Sequence, residues 1–209
     1  AAADAPLEFP ALALGTPFSF DAGLAKRLLR REVNPKEAFT VRDAAGVFFR
    51  ASVNELGAGG GTAVPYERCA VSPEPAIAIT LACAVLGRQR MLFVAQKATE
   101  LGVARIVPLL TEHSVPAGDL NHEKAHAWPG QVIRAAKQCR RSSLPELCAP
   151  MTLDAFLASP LPAEADLSLF LDNSGAPAPP PAGNPKRVLL LVGPEGGVYA
   201  PERRKLAGR

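Results

Sequence analysis

The sequence predicts an α/β protein in which a mostly parallel sheet, covered by helices on both faces, follows a small and mainly β domain. Two observations favour the sheet: continuous apolar runs typical of strands buried on both faces, and helical segments between them. A third observation favours the β domain, because the first third of the chain holds short segments rich in Val, Phe and Thr. The apolar runs occupy residues 76–85, 103–110, 167–171 and 187–192.

We place the first domain at residues 1–73. Residues 21–31 predict a short helix that Asp21 can cap, with Leu24 and Leu28 on one face. The segments 38–43 and 47–53 flank "AAG" and predict a hairpin, and "GAGGG" predicts a loop at 57–61. The domain carries basic residues on its one helix and no acid–base cluster, which is typical of a binding module.

We place the second domain at residues 74–209, where strands and helices alternate. A helix is predicted over 89–102, with Gly102 just past its end, and a helical region over 123–139 that Pro129 kinks or divides. Thr152 can cap the next helix. A Pro-rich loop is predicted over 172–186, before the last apolar strand.

Composition limits the class of protein. The 209 residues are 48% hydrophobic and carry a net charge of +3, which permits a nucleic-acid partner without requiring one. No apolar run is long enough to cross a membrane, and the first ten residues lack the pattern of a signal peptide. The cysteines lack the close pairing of zinc ligands, so we expect free thiols, no metal and a cytoplasmic protein; they are Cys69, Cys83, Cys139 and Cys148.

The segment Gly193–Gly197, "GPEGG", follows the last apolar strand directly. Glycine and proline make ordinary turns, and that reading stays open. In parallel α/β sheets, however, ligands bind beyond the carboxyl ends of the strands, and glycines let a ligand lie against backbone N–H groups. The spacing is neither GxxxxGK(S/T) nor GxGxxG. It therefore predicts a small ligand that backbone amides and carbonyls recognise, with Glu195 nearby.

Three stretches in this order resemble the RsmE family of bacterial 16S ribosomal RNA (uracil-N3) methyltransferases, which belong to the SPOUT class. They are "RMLFVAQKATELGVARIVPLLTEHS" (90–114), "RAAKQCRRSSLPEL" (134–147) and "LLLVGPEGGVYAPE" (189–202). The resemblance implies a PUA-like β-barrel for RNA, then a trefoil-knotted domain that binds S-adenosylmethionine. It also implies a homodimer that acts on 16S ribosomal RNA within the 30S subunit.

The resemblance also implies site residues. The catalytic residues would be Arg141, the Arg of the family's QCxR motif, and Glu195. S-adenosylmethionine would contact Leu191, Val192, Gly193, Pro194, Glu195, Gly196 and Gly197, and RNA would contact Lys26, Arg27, Arg30 and Arg141. Two structural alternatives stay open: one is a Glu195 that bonds only within its own turn, and the other is an Arg141 that pairs with Glu146.

Two departures from the family pattern matter. The family has a helix, a strand and an "LGxRILRxETA"-like segment after GPEGG, whereas this sequence ends at "KLAGR", so we expect the knot-closing segment to lie outside it. Arg140 stands where the family usually has a small residue. Two other functions remain open: a SPOUT methyltransferase with another tRNA or rRNA target, and a non-catalytic RNA-binding assembly factor.

Overall fold

The computed structural model describes residues 4–171 and 183–207. Contacts divide the chain into two compact units. The first unit comprises Asp4–Pro75 and Ile133–Leu144; the second comprises, of the described residues, 76–132, 145–171 and 183–207. The segment 133–144 groups with the first unit although it lies in the middle of the second predicted domain. The boundary at 73/74 therefore stays a prediction.

The first unit is built around a five-stranded sheet, counted over the described residues, in the order β1-β3-β4-β5-β2. Strands β1 and β3 are parallel and the other neighbours are antiparallel. The first two strands were not predicted. Its elements are β1 (Leu7–Phe9), β2 (Phe18–Asp21), α1 (Ala22–Arg30), β3 (Ala38–Asp43), β4 (Phe48–Gly57) and β5 (Gly60–Arg68).

Local signals explain α1 and the hairpin. The Asp21 side chain accepts a hydrogen bond from the Leu24 N–H at 2.8 Å and caps α1, as predicted. Leu24 and Leu28 are buried against the sheet. The predicted hairpin of β3 and β4 is confirmed, and Gly46 takes a φ of +81° in its turn. The predicted loop at 57–61 is shorter, because β5 begins at Gly60.

The second unit contains a parallel sheet in the order β10-β11-β6-β7-β8, and β9 also pairs with β7. The predicted parallel α/β sheet is confirmed. The trefoil knot stays a prediction. The elements are β6 (Ala78–Ala84), α2 (Arg88–Glu100), β7 (Arg105–Leu110), α3 (Trp128–Gln138), β8 (Glu146–Leu147), β9 (Met151–Thr152), α4 (Leu153–Ala158), β10 (Leu167–Leu171), β11 (Arg187–Val192) and α5 (Ala200–Ala207). Residues 133–138 of α3 belong to the first unit.

Most of the residues predicted to begin or end helices in the second unit do so in the structure. Gly102 ends α2 with a φ of +85°, and the Val103 N–H returns to the Ala98 carbonyl at 2.9 Å. Thr152 caps α4 by accepting from the Ala155 N–H at 3.1 Å. Pro129 is the second residue of α3, so it helps to start this helix rather than kink it. The Pro-rich loop at 172–186 lies mostly outside the described residues.

Both faces of the parallel sheet are covered by apolar side chains. On one face Met91, Ile106 and Trp128 are buried in a core that includes α2. A second core includes Phe156 of α4 and Leu189 and Leu191 of β11. This two-sided burial explains why the strands read as continuous apolar runs instead of alternating ones.

Candidate functional site

The carboxyl ends of β11, β6 and β7 meet at one edge of the parallel sheet. Val192 pairs with Cys83, and Ala84 pairs with Leu109, so the three adjacent strands end at nearly the same level. The loops 193–199, 85–87 and 111–116 therefore leave the sheet side by side. This is the edge where parallel α/β sheets bind ligands.

The glycine turn, Gly193–Gly197, is the most constrained of these loops. The Gly197 N–H donates to the Pro194 carbonyl at 2.9 Å, which closes a four-residue turn. Gly197 has a φ of +78°, a conformation that favours glycine. A Cβ on Gly193 would lie 2.5 Å from Val198 Cγ2, so any side chain there would require Val198 to shift. The geometry of the turn thus favours glycine at both positions.

Gly196 is different. Its φ lies outside the left-handed region, and a Cβ there would meet only the His113 ring, at an ordinary 3.7 Å. The residue is exposed. The backbone of the turn therefore does not itself require glycine at this position.

Glu195 lies at the exposed tip of the turn. Its carboxylate forms an ion pair with Arg90 Nε of α2 at 2.8 Å, and both side chains are about 60% exposed. The described contact thus joins the turn to α2 rather than to the turn's own backbone. An exposed ion pair of this kind is weak, so the carboxylate can exchange partners readily.

Leu191 and Val192 lie on opposite faces of β11, because side chains alternate along a strand. Leu191 lines an apolar cavity of about 320 Å³ together with Phe156, Phe170 and Leu206. Val192 packs against the other core, on the α2 side. Their side chains therefore point to opposite faces of the sheet, and Leu191 is the one of the two that lines this cavity. The contact of both residues with S-adenosylmethionine stays a prediction.

A polar cavity of about 350 Å³ lies at the same edge, between the end of β7 and α5. Glu202 Oε1 accepts from the Glu112 N–H at 3.2 Å, while Glu202 Oε2 and Thr111 Oγ1 are buried without a described partner. Buried polar atoms normally have partners, so these two atoms fit a polar ligand group. Sequence reasoning missed both residues; the one available signal was an acidic residue in the first turn of a helix at the sheet's carboxyl edge.

His113 connects the end of β7 to the glycine turn. Its Nδ1 lies 3.2 Å from the Gly197 carbonyl oxygen, and its ring stands edge-on to Tyr199 at a centroid distance of 6.0 Å. The side chain is exposed. Its place beside the turn was not predicted from the sequence.

The basic residues of α1 surround one buried carboxylate. Asp4 lies 2.8 Å from Arg27, 3.1 Å from Arg30 and 2.7 Å from Arg31. Burial alone would raise the pKa of Asp4, but the hydrogen bond and charge of Arg31, followed by the charge of Arg27, hold it below its usual value. Lys26 is exposed. The RNA-binding role of Lys26, Arg27 and Arg30 stays a prediction, and Arg27 and Arg30 already pair with Asp4.

Arg141 lies within the first unit and is buried. Its Nη2 donates to Glu74 Oε2 at 2.8 Å and to the Ser143 hydroxyl at 3.0 Å. The alternative that it pairs with Glu146 is wrong, because Glu146 accepts from Arg105 at 2.7 Å. The catalytic and RNA-binding roles of Arg141 stay predictions.

Glu74 organises the segment that follows α3. Its Oε1 accepts from the N–H groups of Ser142 and Ser143 at 2.8 and 2.9 Å. Burial alone would raise the pKa of Glu74, but the hydrogen bond and charge of Arg141 lower it below its usual value. The carboxylate thus holds the QCxR segment in place, a long-range partnership that no local pattern could reveal.

Other classes of site find no support in the part of the chain that the structure describes. No helix there is both long enough and apolar enough to cross a bilayer. No group of three or more His, Cys, Asp or Glu residues among 4–171 and 183–207 could hold a metal ion. The four cysteines are free, and burial raises the pKa of Cys83 to about 12.

Comparison with known proteins identifies relatives of this chain. The chain is 30% identical over 176 residues to a ribosomal RNA small subunit methyltransferase E from Synechocystis sp., covering 82% of this chain and 56% of the relative. It is 35% identical over 106 residues to the protein of that name from Aquifex aeolicus, covering 50% and 44%. The chain thus spans about half the length of these curated relatives.

Solved structures share the fold. A ribosomal RNA small subunit methyltransferase E from Neisseria gonorrhoeae, bound to S-adenosyl methionine, matches with a TM-score of 0.62 at 24% identity, over 97% of this chain and 85% of that chain. A Legionella pneumophila protein solved with the cofactor SAM matches with a TM-score of 0.59 at 28% identity, over 97% and 84%.

The family model for the RNA methyltransferase domain matches residues 72–209. This range holds the parallel sheet, the glycine turn and the QCxR segment. The chain therefore belongs to the RNA methyltransferase domain family, with the ribosomal RNA small subunit methyltransferases E among its relatives, and the family resemblance seen in its sequence is confirmed.

Proposed function

We propose that this protein uses S-adenosylmethionine to methylate N3 of a uridine in 16S ribosomal RNA. The observation that carries the proposal is made at the carboxyl edge of the sheet. There the glycine turn, with Glu195, Gly196 and Gly197 exposed, shares one edge with buried polar atoms that have no described partner. Relatives with this fold were solved with the same methyl donor. We place the reaction in the cytoplasm and expect the protein to act as a homodimer on the 30S subunit.

The residues at this edge fit a ligand that is part apolar and part charged. The backbone of the glycine turn and the side chain of Leu191 would hold the adenosine part, beside the apolar cavity. Glu202 Oε2 and Thr111 Oγ1 would receive the donor's amino group, because both atoms can accept hydrogen bonds. When bound, S-adenosylmethionine supplies an electrophilic methyl group.

The position of the methylated atom within uracil determines how the RNA must bind. N3 of uracil lies on the Watson–Crick edge, so the base must be unpaired or splayed out of its stack. Glu195 lies at the exposed tip of the turn, where it could hold the base or the donor. We place Arg141 on the RNA side, where an RNA phosphate would have to compete with Glu74 for its guanidinium.

The proposal is tested with full-length protein, S-adenosylmethionine and 30S subunits from a strain that lacks the modification. A methyl on N3 blocks Watson–Crick pairing, so reverse transcriptase should stop at one uridine of the 16S RNA, and only after treatment. Methyl transfer to tRNA without that stop would support another target. Absence of donor binding in calorimetry would overturn both enzyme readings and leave an RNA-binding assembly factor.

The role of Arg141 is tested by comparing two substitutions, Arg141→Lys and Arg141→Ala. Arg141→Lys keeps a positive charge beside Glu74, whereas Arg141→Ala leaves that carboxylate buried without its cation. If Arg141 contacts RNA, Arg141→Lys should remain folded and bind the donor but give a weaker stop. An undiminished stop would remove Arg141 from the reaction.

A further inference from the structure

His113 has a ring orientation that fixes where its proton lies. The Gly197 carbonyl oxygen, 3.2 Å from Nδ1, can only accept a hydrogen bond. In the neutral ring, Nδ1 must therefore carry the hydrogen, and Nε2 must carry the lone pair. The turn's backbone thus selects the tautomer in which Nε2 is a proton acceptor.

The ring lies beside the turn to which we assign the methyl donor. His113 is exposed at the carboxyl edge of the sheet, and its ring lies beside Gly196 of the glycine turn. Glu195 is the carboxylate of the turn itself, and it is paired with Arg90. Imidazole is in general a stronger base than a carboxylate near neutral pH.

We propose that His113 is the general base of the reaction; this inference rests on the function proposed above. Nε2 takes the proton from N3 of uracil. The electron pair left on N3 forms the bond to the methyl carbon as the carbon–sulfur bond breaks, and that bond's electrons remain on sulfur. The positive charge of the donor is thereby neutralised, and the imidazolium carries the proton released.

The first test needs neither donor nor RNA. Nitrogen-15 NMR of the full-length protein at about pH 8, where a free imidazole is mostly neutral, distinguishes a ring protonated at Nδ1 from one protonated at Nε2. His113→Gln identifies its signals. We expect the Nδ1–H tautomer, which is the less common form in free histidine. A ring protonated at Nε2 would overturn the proposal.

The second test separates proton acceptance from positioning of the turn. In His113→Asn the side-chain amide can still donate to the Gly197 carbonyl near the place of Nδ1, but it cannot accept a proton. We expect unchanged donor affinity in calorimetry and a single-turnover rate lowered about 100-fold, the lower range for a lost general base. A wild-type rate would overturn the base role, and a loss of donor affinity that accounts for the slower rate would assign His113 to positioning alone.

A chemical control uses RNA that contains 5-fluorouracil, whose fluorine makes the N3 proton more acidic. A base should matter less for that substrate, so the rate ratio between wild type and His113→Asn should shrink. An equal ratio on both substrates would contradict proton transfer to His113. Wild-type protein that binds donor but methylates neither RNA would overturn the proposed function itself, a result distinct from an active His113→Asn variant.

Discussion

The three glycines of the glycine turn are subject to different structural constraints. The turn itself favours glycine at Gly193, which lies against Val198, and at Gly197, which has a left-handed φ. Gly196 meets neither constraint. Its missing side chain therefore leaves open surface beside His113, which is where we place a ligand.

Gly196→Val should abolish binding of S-adenosylmethionine while the protein stays folded. The new side chain would occupy the surface of the turn that we assign to the donor. Gly118→Val is the matched control in the same unit, because a Cβ there meets nothing within 4 Å. Calorimetry measures the affinity, and circular dichroism checks the fold. Unchanged affinity in a folded Gly196→Val variant would make the segment an ordinary turn.

The segment after α3 depends on one carboxylate from a distant part of the chain. Glu74 holds the side chain of Arg141 and two backbone N–H groups. Glu74→Ala should lower the free energy of unfolding by about 3–5 kcal/mol at neutral pH, because it removes the carboxylate of a buried ion pair together with the hydrogen bonds that this carboxylate accepts from Ser142 and Ser143. Urea unfolding measures the change. Glu67→Ala, at an exposed position of β5, should stay within about 0.5 kcal/mol of wild type.

The same pair predicts a dependence on pH. The pKa of Glu74 is lowered in the folded protein. Its contribution is therefore complete above the pKa of an unfolded glutamate, about 4.3, and is lost as pH falls through the lower folded-state pKa. The difference in unfolding free energy between wild type and Glu74→Ala should shrink across that interval. A difference that persists in acid would show that the hydrogen bonds matter without the charge.

Local sequence patterns predicted the ends of helices well, but they did not predict which distant side chains contact each other. Asp21, Gly102 and Thr152 mark ends of helices, and each signal lies within a few residues of the group that it satisfies. The strands β1 and β2 have only three and four residues, too few to show a period. Glu74 and Arg141 are brought together by tertiary structure alone. Arg140 has a φ of +62°, a conformation that residues other than glycine rarely adopt and that no local pattern predicted.

The net charge of +3 says little about where RNA binds, because many cations already have partners. Arg27 and Arg30 both contact Asp4, so removing them together would also disturb the first unit. Lys26 and Arg30 are both exposed, but of these two only Arg30 contacts Asp4 among the described ion pairs. Lys26 is therefore the residue whose removal tests RNA binding with least effect on the fold.

Lys26→Ala should weaken RNA binding and lower the slope of log affinity against log salt by about 1, since one phosphate contact is lost. Donor affinity should not change. Lys186→Ala removes the same charge from an exposed position in the second unit and should leave the slope unaltered. Binding of 16S RNA fragments at several salt concentrations measures both. An unchanged slope in Lys26→Ala would show that Lys26 of α1 does not contact the RNA phosphates.

The order of the parallel sheet has a consequence for synthesis on the ribosome. Strand β6 lies between β7 and β11, and its residue Ala78 pairs with Arg187 near the other end of the chain. At roughly 5–20 residues per second, on the order of ten seconds separate the emergence of these two strands. During that interval the nascent chain carries an apolar strand with one unpaired edge, which is open to pairing with other chains. Faster translation in a foreign host should shorten that exposure, whereas pausing between codons 84 and 187 should increase the aggregated fraction.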